Sequence, residues 1–117
     1  MGKTIFYRDA TGSVLEVPRH CEGGVLEMDG IASAEVHVTG NYLTIWNLYF
    51  EPNYCDPYGI WGKNGSDLQP TLERGVTELG TTKDTDFWEP THGNVGAIFQ
   101  LLLEWIVQHP NGRFEYV

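Results

Sequence analysis

The sequence predicts one α+β domain over residues 1–117, an antiparallel sheet of about five to seven strands with a single C-terminal helix packed against it. Three observations lead there. A chain of 117 residues is the length of one domain and too short for two cores. Leu, Ile, Val and Phe supply 30 of those residues, above the share of about a fifth below which disorder sets in. The 14 Gly and 6 Pro cut the chain into short segments, a spacing that favours strands in the first half.

The elements follow in order. Residues 4–8 are a short β-prone run. Asp9, Ala10, Thr11 and Gly12 make a turn, because Asp bonds its own backbone and Gly accepts positive φ. Residues 13–17 alternate and return as the second arm of a hairpin that Pro18 ends. Residues 24–29 supply a third strand. Over residues 32–39, Ala34, Val36 and Val38 face one way and Ser33, Glu35 and His37 the other, the pattern of a half-buried strand. Gly40-Asn41 then suits a tight hairpin connection. Residues 42–50 are apolar on both faces and predict the central strand. Residues 51–69 read as a long irregular loop and residues 71–79 as a strand or a short helix, with Gly75 and the branched Val76-Thr77 favouring the strand. Residues 80–90 are polar and loop-like. A helix spans residues 94–108, with Thr91 or Asn94 capping its start and residues 109–112 stopping it. Residues 113–117 close the fold as an edge strand.

Charge narrows the function. Sixteen carboxylates against seven Lys and Arg give −9. Phosphate contacts supply most nucleic-acid affinity and require a basic patch. The seven basic residues are scattered, so nucleic-acid binding is not expected, and binding to an anionic membrane is disfavoured for the same reason. The most apolar stretch, residues 95–107, is shorter than the roughly 20 residues of a membrane span. No apolar leader opens the sequence. The expectation is a cytoplasmic protein with Cys21 and Cys55 as free thiols. No metal or cofactor is expected. A zinc site could draw on His20, Cys21, Cys55 and His92, but nothing in the spacing requires it. Adjacent strand residues such as His20 and Cys21 point to opposite faces. Cys55 with His37 or His92 offers only a formal nucleophile pair. Asp84, Asp86 and Glu89 lack the spacing of a calcium loop. No sequence motif specifies a reaction.

Two features point outward. In the helix, Gly96, Gln100, Glu104 and Gln108 form one narrow polar stripe, and the rest is apolar. One sheet needs an apolar stripe only somewhat wider than about 100°. The helix is therefore buried inside its own domain or lies in a subunit interface. The excess of apolar side chains favours a homodimer through Phe99, Leu102, Leu103, Trp105 and Ile106. The second feature is the aromatic loop. Tyr54, Tyr58 and Trp61 either pin the loop or bind a partner or small molecule. The candidate site is where this loop meets the helix start, with His92 and Asn94 beside the free backbone N–H groups. The preferred reading is a small, non-enzymatic interaction protein, a size and charge shared by many inhibitor and accessory proteins of mobile elements. The alternative is a small-molecule-binding domain, and with it an enzyme, whose aromatic loop closes over the ligand.

Overall fold

The computed structural model describes the backbone of residues 2–22, 26–86 and 88–117, and the side chains of 2–17, 33–86 and 88–117. The elements are β1 (Lys3–Arg8), β2 (Glu16–Glu22), β3 (Leu26–Ser33), β4 (Glu35–Val38), a 3₁₀ turn (Gly40–Tyr42), α1 (Leu43–Trp46), α2 (Gly65–Leu79), α3 (His92–Gln108) and β5 (Arg113–Tyr116).

The α+β class holds, but the layout differs from the one predicted. The five described strands form two sheets. One is three-stranded, in the order β4-β1-β5, and the other pairs β2 with β3. All pairings are antiparallel. The strand at the centre is β1, not residues 42–50. It sends Ile5 and Tyr7 into the core while Arg8 reaches Glu115 on the outer face at 3.2 Å. The predicted hairpin survives only at its turn. Asp9 Oδ1 accepts the Thr11 and Ser13 backbone N–H groups, and Leu15 N–H donates to Tyr7 O. The strand continues past Pro18, and its register against β3 shifts between Val17 and Arg19. Proline has no N–H to give the ladder, so it sits where the ladder is irregular. Residues 24 and 25 of the predicted third strand lie outside the described residues; β3 covers the rest. The alternation of Ala34, Val36 and Val38 is as predicted, with all three buried. So is the edge position of β5.

Among the described residues, three α-helices stand in place of the single predicted one. Residues 40–46 turn helically because Thr39 caps the start, its hydroxyl accepting from Asn41 N–H. The buried side chains Tyr42, Ile45, Trp46 and Phe50 recur at helical spacing. Residues 65–79 are helical too. Asn64 caps α2 by accepting the Ser66 N–H at 3.0 Å, and Leu68, Leu72 and Gly75 form its buried stripe. Gly75, which argued for a strand, is the contact point with α3. A Cβ there would lie 2.5 Å from the Phe99 ring.

These two extra helices answer the question that α3 posed. Phe99 packs edge-on against Trp46, Tyr49 and Phe50, and Trp105 stacks on Tyr7 of the sheet. Phe99, Leu102, Leu103, Trp105 and Ile106 are all buried within the chain's own fold. The predicted α3 interface is therefore corrected: its side chains cover the domain's own sheet and helices and are not free to cover a partner. The polar stripe holds, with Gln100 and Glu104 partly accessible and Gln108 exposed.

Candidate functional site

The aromatic loop runs from α1 to α2, and it is pinned hard. Asn47 donates through Nδ2 to Phe50 O and Pro57 O, both at 3.0 Å. Trp46 Nε1 donates to Tyr58 O at 2.8 Å. The Tyr58 hydroxyl donates to Val38 O at 2.9 Å, fastening the loop to β4. Gly62 N–H and Phe114 N–H donate to Phe114 O and Lys63 O, so the end of the loop covers the free edge of β5.

Asp56 organises the middle of the loop. It is 7% exposed. Its Oδ1 accepts Gly59 N–H at 3.0 Å and its Oδ2 accepts Trp61 N–H at 3.1 Å. The Tyr116 hydroxyl also donates to Oδ1. Burial, then the hydrogen bond to Asp56 and its negative charge, raise the Tyr116 phenol above its ordinary range. Burial likewise pushes Tyr58 up to about 12. Both phenols are donors at neutral pH. Asn53 and Asp56 close a tight turn through a reciprocal backbone pair at 3.0 and 3.1 Å, and Asn53 Oδ1 accepts the Cys55 N–H. Tyr54 and Cys55 are the two residues at the tip.

The three loop aromatics thus separate. Tyr58 is a core anchor, 1% exposed, with its ring against Trp46 and Tyr116. Tyr54 stands clear of the fold at 102% exposure. Trp61 leans edge-on against Tyr116 and keeps 49% exposure. Beside them opens a shallow hollow of about 480 Å³, lined by Lys3, Asn53, Cys55, Asp56, Trp61 and Tyr116. Lys3 and Tyr116, from β1 and β5, carried no signal of this role in the sequence. Their place comes from strand pairing alone.

The helix start does not join this corner: neither His92 nor Asn94 lines the hollow. His92 is exposed. Asn94 is buried and fully used. Its Oδ1 accepts Asp84 N–H at 2.8 Å, and its Nδ2 donates to Asp86 O and Glu89 O. Thr91 caps the helix by accepting Asn94 N–H at 3.1 Å. The segment from α2 to α3 lies so close over this start that a Cβ on Gly96 would fall 1.7 Å from Gly80 O. Asn94 holds this segment down and has no polar atom left for a ligand.

Asp84 and Asp86 each accept the backbone N–H two residues on, which makes them turn-formers. Cys55 is a free, exposed thiol. Its hollow includes neither His37 nor His92. The side chains of His20 and Cys21 lie outside the described residues. Among the described residues, no group of three or more His, Cys, Asp or Glu could hold a metal, and no helix is long and apolar enough to cross a membrane.

No protein-family model matches the sequence, and no curated protein or solved structure is similar to it.

Proposed function

We propose that this chain is a non-enzymatic interaction protein and that the corner formed by residues 53–61 is its binding face. One observation carries the reading. Within a single pinned loop, Tyr58 is spent on the core while Tyr54 and Trp61 are held outward. Asn47, Asp56 and Tyr58 anchor the loop, which leaves Tyr54 and the exposed half of the Trp61 ring available for contact. Tyr and Trp on a rigid support give large contact area at low entropic cost, as at the centres of protein interfaces. The buried polar side chains Thr39, Asp56 and Asn94 support the same reading, because each is engaged with the chain's own backbone.

The test is site-specific photo-crosslinking in cells. A benzophenone side chain replaces Tyr54 in one variant and Val107, which is exposed and far along α3, in another. A discrete adduct from position 54, absent from position 107 and weakened by Trp61→Ala, supports the reading. No adduct at 54, or the same adducts from both positions, refutes it.

A small-molecule reading rests on the hollow itself, whose volume falls within the roughly 300–1,000 Å³ of ligand sites. A ligand at 100 times its Kd adds about 2.7 kcal/mol to stability. A thermal-shift hit abolished by Trp61→Ala, with no polypeptide adduct at position 54, would replace the interaction reading with this one.

A further inference from the structure

We propose that this corner pairs with a second copy of the chain, each Tyr54 entering the hollow of the other. The inference rests on the corner being a binding face and names what binds there.

Shape points to a second copy. A two-fold contact uses the same patch on both subunits, so that patch must carry both a projection and a recess. Here the two are contiguous. Tyr54 is the tip of the Asn53–Asp56 turn, and the other three residues of that turn line the hollow. Trp61 and Tyr116 form the aromatic part of its wall. Rigidity points the same way. The turn is closed by two backbone bonds, and Asp56 is tied to Gly59, Trp61 and Tyr116, so association orders little beyond the Tyr54 side chain.

Charge and area set the strength. The chain carries −9, which opposes self-association. The hollow is lined by one basic and one acidic side chain, Lys3 and Asp56, so each copy brings both signs of charge to the contact. An aromatic side chain buries about 150–250 Å². Two tyrosines and the exposed halves of two indoles then remove roughly 500–700 Å², below the ~1,200 Å² of a stable interface. The dimer is weak and exchanging. Salt strengthens it, because screening reduces the repulsion between like-charged copies. Attraction to a cationic partner would show the opposite salt dependence.

Sedimentation equilibrium from micromolar to millimolar concentration, at low and high salt, tests the proposal. The wild-type mass should rise toward twice the monomer value, more so at high salt. Tyr54→Ala should weaken association at least tenfold while its thermal midpoint stays at the wild-type value. Cys55 supplies a proximity readout. Each Tyr54 enters a hollow lined by the other copy's Cys55, which places the two thiols within two side chains of each other. In a Cys21→Ser background, a short bis-maleimide should link Cys55 to Cys55, and Tyr54→Ala should remove the product. A monomer at every concentration and salt overturns the proposal. So does a dimer that Tyr54→Ala leaves intact, or one in which Cys55 is not linked. If the chain stays monomeric while position 54 crosslinks a different polypeptide, the second copy is refuted and the interaction reading stands. If both fail, both are refuted.

Discussion

Gly96→Ala reverses the ordinary sign of a helix substitution. In a helix interior, Ala is normally more stable than Gly by about 0.5–1 kcal/mol. At Gly96 the added methyl would lie 1.7 Å from Gly80 O, a backbone atom that no rotamer change can move. Contact at 3.0 Å or more requires the two segments to part by over 1 Å. That displacement pulls Gly80 away from Val76 O, to which its N–H donates at 2.9 Å. It also strains the bonds from Asn94 to Asp84, Asp86 and Glu89. Each hydrogen bond lost is worth about 1 kcal/mol net, and a buried group left unpaired costs about 1–3 kcal/mol. With the propensity gain subtracted, the expected loss is about 3–4 kcal/mol, a large share of the ~5–15 kcal/mol that holds a domain together. Urea unfolding followed by far-ultraviolet circular dichroism measures it. Gln100→Ala, on the same stripe but partly accessible, is the control and should stay within about 1 kcal/mol of wild type. A Gly96→Ala protein as stable as wild type, or more stable, would refute the close crossing of α3 by this segment.

The remaining expectations use the same packing. Gly75→Ala inserts a methyl 2.5 Å from the Phe99 ring, which Trp46, Tyr49 and Phe50 hold in place, and should cost about 1–3 kcal/mol by thermal or urea melting. Asn94→Ala unpairs three backbone groups at once and should cost about 2–4 kcal/mol; limited proteolysis should then cut first between α2 and α3. Alkaline pH acts through the buried phenols. Tyr7 and Tyr58 are each raised from 10.0 to about 12 by burial, which favours the protonated form in the folded state. Their contribution is complete below pH 10 and is lost as pH rises from about 10 to 12, on the order of 2–3 kcal/mol per tyrosine. Phenolate absorbance and circular dichroism should therefore change together in that window; ionisation of all tyrosines near pH 10 in a folded protein would contradict the burial. Cys55→Ser, at an exposed thiol, should leave stability within about 0.5 kcal/mol in a denaturant melt.

Much of this protein is written in local pattern. The acidic charge, the turn at Asp9–Gly12, the alternation of Ala34, Val36 and Val38, the Thr91 cap and the helix over residues 94–108 all depend on neighbours within a few positions, and all are legible from the chain alone. The excess of apolar residues on α3 was legible too. What it meant was not, because that depends on how many other elements cover the helix. Residues 42–50 carry both a strand-like apolar run and a helical spacing of Tyr42, Ile45, Trp46 and Phe50; only packing against Phe99 selects the second. Gly75 lowers helix propensity, yet it is the residue that lets α2 approach α3, a contact between positions 24 apart in sequence. The aromatic loop shows the same division. Its content of Tyr54, Tyr58 and Trp61 is a property of sequence, but which ring turns inward depends on Val38 O and Tyr116, brought by β4 and β5. The candidate corner is thus half local and half topological. Sequence placed three aromatics on one loop, and tertiary structure buried one, exposed two, and set Lys3 and Tyr116 beside them.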